Sequence, residues 1–176
     1  MKNPINILLH EHKIIASAID IAMQADKLIG NNNELYNNVV TKLLDFFQNY
    51  ADKIHHRKEN LVLFPEMIKK SELLREGLIH EMYDNQDEFQ GMINKIEKLL
   101  LKNDYLRVQQ QLHVYAEALL NHIAVENDEV FQIAESLFND LELENMYFRF
   151  IDTDTEMFLS TKSDLEKRIE ELRKLI

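Results

Sequence analysis

The sequence predicts an all-α fold, an up-down antiparallel four-helix bundle with an additional C-terminal helix. Apolar residues recur at helical spacing through most of the chain, and no segment alternates as a β-strand would. The chain contains only three Gly and two Pro, so few positions interrupt a helix. Short connections between consecutive helical segments favour antiparallel neighbours.

The first two predicted helices cover residues 5–29 and 34–64. The first carries His12 on its apolar stripe, and Gly30 with the asparagines after it is a typical helix end. Pro65 permits a bend or a break after the second, because proline has no N–H for the preceding turn.

Three further helices are predicted over residues 71–101, 104–137 and 141–174. Residues 1–137 are expected to form the bundle. Residues 138–176 are expected to form a helical extension that packs on the bundle or on a partner subunit.

Composition excludes several classes of protein. The formal charge is −11 and no Lys/Arg cluster opposes it, which disfavours nucleic-acid binding. There is no cysteine, so disulfides, thiolate metal sites and cysteine nucleophiles are absent, and any metal must be held by His and carboxylate. No apolar run has the length of a membrane span and the first residues do not resemble a signal peptide. We therefore expect a cytoplasmic protein that does not bind membranes.

An internal repeat carries the candidate ligands. The segments HHRKENLVLF (55–64) and HIAVENDEVF (122–131) match at His, Glu, Asn and Phe in register. Each follows another histidine by a similar distance, 43 residues from His12 to His55 and 42 from His80 to His122. The repeat predicts two helix pairs related by a pseudo-twofold axis.

Helix heights at a rise of about 1.5 Å per residue place one histidine of each helix in roughly one layer. His-x-x-x-Glu spacing puts each imidazole one turn from a carboxylate on the same face, so a metal can take the imidazole while the carboxylate reaches a second metal. Two non-haem Fe ions with an oxo or hydroxo bridge are the expected cofactor, and Zn or Mn also suit such ligands. The predicted metal ligands are His12, His55, Glu59, His80, His122 and Glu126.

The alternative is a purely structural role as surface ion pairs or hydrogen-bonded core histidines. It is disfavoured because six titratable groups converging on an apolar core would be costly without a cation.

The candidates for outer contacts around the metal ligands are His56, Tyr50, Tyr115, Glu76 and Asp84. His56 could be an outer contact or a substitute ligand, although a surface position is favoured. A tyrosine near the site could hydrogen-bond a bound oxygen species, although core packing with a satisfied hydroxyl is favoured. Glu76 and Asp84 flank His80 and could orient a ligand or become a sixth donor, although solvated helix surface is the default.

On these motifs the sequence resembles the hemerythrin-like (HHE cation-binding) family over about residues 5–137. The matching segments are Leu8-x-x-Glu11-His12, HHRKENLVLFP (55–65), His80 and His122-x-x-x-Glu126. The resemblance implies a non-haem di-iron site in which the four histidines are terminal ligands and the two glutamates are bridges.

The oxygen-carrying members use a fifth histidine one turn from the third-helix ligand. Here the corresponding positions are Glu76 and Asp84, which counts against reversible O2 carriage. The ligand set is more similar to bacterial proteins that repair iron centres after nitrosative stress. Those carry a cysteine-bearing domain that this sequence lacks, so the chain resembles a stand-alone HHE domain.

Three functions remain open from the sequence. The first is a di-iron protein that binds O2, NO or iron in sensing, storage or a stress response. The second is a di-iron oxidase, peroxidase or nitric-oxide reductase that takes electrons from a partner, since no flavin or nicotinamide motif is present. The third is a helical interaction module. The expected partners are a diatomic ligand or peroxide, and a dimer through the C-terminal helix is an open alternative.

Overall fold

A computed structural model describes residues 2–155 and 159–176 of this chain. The described residues are helices and short connections with no β-strand among them, which confirms the all-α prediction. The α-helices are α1 (Pro4–Gln24), α2 (Asn33–Phe46), α3 (Phe64–Lys70), α4 (Leu78–Leu100), α5 (Tyr105–Val125), α6 (Phe131–Leu137), α7 (Asp140–Thr155) and α8 (Leu159–Arg173). π-helical segments cover Phe47–His56, Glu59–Leu63 and Glu126–Val130, and 3-10 turns cover Ala25–Leu28 and Glu72–Leu74.

Helix α1 begins one residue before the predicted start and ends at Gln24, and the 3-10 turn Ala25–Leu28 continues it to near the predicted end at residue 29. The Asn3 side chain accepts a hydrogen bond from the Ile5 N–H at 2.9 Å, and Pro4 occupies the first turn, where its missing N–H costs nothing. After the 3-10 turn the chain reverses at Gly30, whose φ of 80° favours glycine.

The second helical run does not break at Pro65. Helix α2, two π-helical segments and α3 follow one another without interruption from Asn33 to Lys70. The Phe64 N–H donates to the Glu59 carbonyl five residues earlier, and Pro65 then lies in the first turn of α3. The wider π turn accommodates the proline, because no hydrogen bond in the first turn of α3 requires its N–H.

Helix α4 begins at Leu78, seven residues later than predicted. Ser71 has extended φ and ψ of −147° and 104°, and it is followed by the 3-10 turn and by Gly77 before α4 starts. The apolar face of α4 therefore begins at Ile79, and residues deeper in this helix reach the middle of the molecule.

The C-terminal stretch comprises α7 and α8, and residues 156–158 of the helix predicted over 141–174 lie outside the described part. Both helices run antiparallel to the 33–70 run. Successive side-chain contacts join Lys70 to Glu142, Glu66 to Arg149, Lys58 to Asp154, Tyr50 to Glu166 and Asp45 to Arg168. The α8 residues Leu165, Ile169 and Leu172 are buried in the core.

Two apolar clusters fill the interior on either side of a polar layer. One includes Ile15, Ile54 and Ile123, and the other includes Leu8 and Val62. The residues between them include the buried histidines and glutamates described below. None of the described helices combines the length and the apolar character that crossing a bilayer requires.

Candidate metal centre

The polar layer is a buried set of four histidines and two glutamates. Each is at most 3% exposed. Helix α1 supplies the first, the 33–70 run supplies the next three, and α5 with the π-helical segment after it supplies the last two. The six residues are His12, His55, His56, Glu59, His122 and Glu126.

The first group of ligand atoms converges between α1 and the 33–70 run. Nε2 of His12 lies 2.9 Å from Nε2 of His55 and 3.2 Å from Oε2 of Glu126. Nε2 of His55 lies 3.2 Å from Oε1 of Glu59. Imidazole nitrogens bind metals such as Zn at about 2.0–2.1 Å, so two of them at right angles on one ion are about 3 Å apart. The spacing fits a shared metal.

A second group lies beside the first. His56, Glu59 and His122 each offer one atom within 4.8 Å of the others. Glu126 faces both groups, because its other oxygen, Oε1, lies 3.1 Å from Nε2 of His122. The two glutamates are therefore the groups that can join a pair of metal positions.

Several of these buried polar atoms have no hydrogen-bond partner in the described structure. They are Nδ1 of His56, both ring nitrogens of His122, Oε1 of Glu59 and both carboxylate oxygens of Glu126. Leaving one buried polar group unsatisfied costs about 1–3 kcal/mol of stability. A layer with this many unpaired polar atoms would therefore destabilise the fold if its role were purely structural. The donor set, neutral imidazole and carboxylate without thiolate, suits iron, zinc or manganese. The residues therefore fit a metal centre.

The π-helical segments explain how one helix buries two adjacent histidines. In an α-helix neighbouring side chains are about 100° apart, which would turn His56 outward when His55 points inward. Both lie in the segment Phe47–His56, where bonds to the fifth preceding residue widen the turn and reduce that angle. His56 is consequently buried, 5.6 Å between ring centroids from His122, and not at the surface as the sequence predicted.

The buried histidines and glutamates of the layer shift one another's pKa values. Burial lowers the pKa of His55, but the charge and close contact of Glu59 and the hydrogen bond with Glu11 raise it to about 10. For Glu126 burial acts upward, yet the His122 charge and the contact with His12 hold its pKa well below the usual range. The two carboxylates therefore favour positive charge on the histidines that they face, which is also the charge that a metal would supply.

The pKa of His56 is lowered. Burial is the main cause, and it outweighs the contact with Asp52 and the Glu59 charge, which raise the pKa; the charges of His55 and His122 add a smaller lowering. A neutral imidazole is the form that binds a metal.

Hydrogen bonds to neighbouring side chains orient the rings of His12 and His55. Nδ1 of His12 lies 2.8 Å from Oδ1 of Asn127, and Nδ1 of His55 lies 2.9 Å from Oε2 of Glu11. Because both oxygens are acceptors, each Nδ1 carries the proton and each Nε2 is directed into the layer. This pattern is typical of metal-binding histidines.

Gln86 of α4 takes the place that the pseudo-twofold axis assigns to a histidine. His12 contacts Glu126 at 3.2 Å and the asparagine after it at 2.8 Å. Gln86 contacts Glu59 at 3.1 Å and Asn60, the asparagine after that glutamate, at 2.8 Å. His12 and Gln86 thus occupy equivalent positions in the two halves of the layer. The halves differ because one has an imidazole where the other has an amide.

The structure does not bring His80 to the layer. Its side chain is 64% exposed and lies 3.5 Å from Asp84, which is itself exposed. The buried stripe of α4 runs through Ile79, Met82, Gln86 and Phe89, and His80 is about 100° away from it. His80 also precedes Phe89, which contacts His122, by nine residues or about 13 Å of helix. The late start of α4 accounts for the difference in depth, since seven residues correspond to about 10 Å of helix. Glu76, in the turn before α4, is exposed as well.

Tyr50 and Tyr115 are buried and pack in the core. The Tyr50 hydroxyl donates to Oε1 of Glu166 at 2.7 Å, and burial with the Glu11 charge raises its pKa. Tyr115 packs edge-on against Phe47 and Phe89, and burial raises its pKa.

Three residues that contact the ligand residues, Glu11, Lys58 and Gln86, were not predicted as site residues from the sequence. The burial of Glu11 could have been predicted, because it lies on the apolar stripe of α1 between Leu8 and Ile15. Nothing in the sequence indicated that Lys58 or Gln86 is buried, since a lysine next to Glu59 resembles helix surface.

Comparison with known proteins is consistent with this geometry. The family model for the hemerythrin HHE cation binding domain matches residues 3–134. No curated protein and no solved structure matches the chain.

Proposed function

The chain belongs to the hemerythrin HHE cation-binding domain family, and from this premise we propose that it holds two non-haem iron ions in unequal positions. The proposal includes the hemerythrin-like arrangement of the helices as an up-down four-helix bundle carrying a C-terminal extension. Its main support is the buried layer in which imidazole and carboxylate atoms converge without hydrogen-bond partners.

The first position would be held by His12 and His55, and the second by His122 with His56 in place of the predicted His80. Glu59 and Glu126 would bridge them, since Glu59 belongs to both groups of ligand atoms and Glu126 faces a histidine of each. Iron in such a centre supplies a redox-active ion with an exchangeable position for a small ligand. The chain's own contribution is to exclude bulk water and to fix each imidazole.

The space beside the second position favours a very small ligand. A cavity of about 10 Å³ is bordered by His56, Gln86 and Phe89, which is room for roughly one water-sized molecule. Diatomic ligands such as O2 or NO are nearer to that size than any organic substrate is. We therefore propose a role in binding O2, NO or iron itself during sensing, storage or a stress response.

Metal analysis of the purified protein tests the ligand set. We expect about two Fe per chain after iron-replete expression, and loss of most iron in His12→Ala and Glu59→Ala. His80→Ala is the matched control, because it removes a histidine of the predicted set that lies outside the layer. Equal iron loss in His80→Ala, or no iron in the parent protein, contradicts the proposal.

An enzyme is the second candidate, and the cavity restricts it to small substrates such as peroxide or NO. Absorption spectra of the reduced, iron-loaded protein during titration with O2 or NO separate the two roles. A stable change that reverses when the gas is removed supports binding. Sustained consumption of peroxide or NO with an added electron donor supports catalysis, and it should disappear in Glu59→Ala.

A further inference from the structure

We propose that Asp154 and Lys162, which lie on the C-terminal helices beyond the part of the chain matched by the family, are positioning residues of the metal centre that act on His55 through Glu11. The inference rests on the proposed function for the identity of the metal. It assigns to α7 and α8 a role in setting the electrostatics of the centre in addition to covering the core.

The contacts form an unbroken path to a ligand. Oε2 of Glu11 accepts from Nδ1 of His55 at 2.9 Å. Oε1 of Glu11 accepts from Nζ of Lys58 at 2.9 Å and from Nζ of Lys162 at 2.5 Å. Asp154 then joins the two lysines, at 2.5 Å from Lys58 and 2.9 Å from Lys162.

The four charged groups of this path are largely shielded from solvent. Glu11 and Lys58 are fully buried, and the side chains of Asp154 and Lys162 are only 8% and 17% exposed. Charges screened so little by solvent act strongly on one another and on a nearby ligand. Two carboxylates and two ammonium groups balance, so removing one member leaves an uncompensated charge three contacts or fewer from His55.

The path exists on one half of the site only. In the internal repeat Val125 stands where Lys58 stands in the first copy, and Asn85 precedes Gln86 where Glu11 precedes His12. No charged pair can form at those uncharged positions. The network is therefore an addition to the His55 side and not a feature that both halves share.

The physical effect follows from the sign of each charge. The Glu11 carboxylate holds the His55 proton on Nδ1 and raises the basicity of Nε2. The Lys162 ammonium withdraws part of that negative charge, and Asp154 holds the ammonium in place. A nearby positive charge disfavours the more positive, oxidised centre. Removing it should lower the midpoint potential, whereas removing the Asp154 charge should raise it.

The test measures the midpoint potential of the iron-loaded full chain. We expect a lower potential in Lys162→Gln, a higher one in Asp154→Asn and little change in Lys162→Arg, which keeps the charge. Lys167→Gln is the matched control, since Lys167 is an exposed lysine of the same helix. Opposite shifts cannot arise from general loosening of α7 and α8. Shifts of equal sign in the two variants, or none beyond the control, overturn the inference.

A second measurement does not depend on iron. In the zinc-loaded protein, the ¹⁵N and ¹H NMR signals of the His55 ring should move in Lys162→Gln and stay in place in Lys167→Gln. An unchanged His55 ring in both variants counts against the inference. If the parent protein binds neither iron nor zinc, the proposed function fails first, so the two failures are distinguishable.

Discussion

At the scale of single residues, Gln86 distinguishes the two halves of the proposed metal centre. An imidazole binds iron or zinc through a nitrogen lone pair, while a side-chain amide offers a carbonyl oxygen that these metals prefer less. The Gln86 amide instead donates to Glu59 at 3.1 Å and accepts from Asn60 at 2.8 Å. The position between His56 and His122 should therefore be the weaker of the two.

Replacing Gln86 with histidine should strengthen that position. We expect Gln86→His to raise the affinity for the second metal on the order of tenfold, the scale on which changes around metal ligands act. Titration of the metal-free protein with Zn²⁺ or Co²⁺ measures both binding steps. Asn94→His adds an exposed histidine about two turns later on the same helix and should change neither. An unchanged second step in Gln86→His contradicts the assignment.

The titration of His55 predicts the pH dependence of metal binding. Its pKa of about 10 means that both ring nitrogens carry protons at neutral pH when no metal is present. A metal requires the deprotonated Nε2, so binding releases this proton and is favoured as pH rises. Affinity should increase by up to about tenfold per pH unit between pH 6 and 8 for each proton displaced. Calorimetry in buffers of different ionisation enthalpy checks the proton release, and a flat affinity would be inconsistent with it.

At the scale of elements, the π-helical segments are the local feature that builds the site. They contain His55, His56, Glu59 and Glu126, and they lie where two helical runs pass the middle of the molecule. A π turn is less favourable than an α turn and persists when tertiary contacts require it. The sequence predicted the helices that contain these segments, but hydrophobic periodicity carried no signal for the π turns.

Helix α8 is expected to contribute to stability through its apolar face. Ile169 is buried against the core, so Ile169→Ala should destabilise the protein by about 2–5 kcal/mol through lost contacts and a residual cavity. Urea unfolding followed by circular dichroism measures the change. Leu73→Ala is the control, because Leu73 is 88% exposed and its truncation should change stability by no more than about 0.5 kcal/mol. Similar effects for both substitutions would show that α8 does not pack as described.

At the scale of the whole molecule, the polar layer couples folding to metal binding. The layer separates two apolar clusters, and its ligands come from α1, the 33–70 run and the helices around His122. A metal that joins them links segments far apart in sequence. The unfolded chain presents no such convergence, so the metal binds the folded state preferentially.

Metal should therefore raise the thermal unfolding midpoint. At a free metal concentration about 100 times Kd the stabilisation is about 2.7 kcal/mol for one site. Thermal unfolding with and without Zn²⁺ measures it, and a chelator should reverse it. His12→Ala should lose most of the shift, while His80→Ala should keep it. An equal shift in both variants would place the stabilising metal elsewhere.

The predicted site shows which information the sequence contains. His-x-x-x-Glu spacing is a property of one helix, so the pairs His55 with Glu59 and His122 with Glu126 could be predicted without any knowledge of loops. His80 could not be placed in this way. Its depth relative to the other helices depends on where α4 starts, and a shift of seven residues moves a side chain by about 10 Å along the axis.

The sequence by itself determined the all-α class, the helices that carry the candidate ligands and the repeat that relates them, because these follow from local spacing and residue chemistry. Only the tertiary structure decided that His56 and Gln86 lie in the layer and that His80 does not. It also decided that Lys162 reaches Glu11 from the far end of the chain. Depth along a bundle and contacts between distant segments depend on turn lengths and π turns, which hydrophobic periodicity does not record.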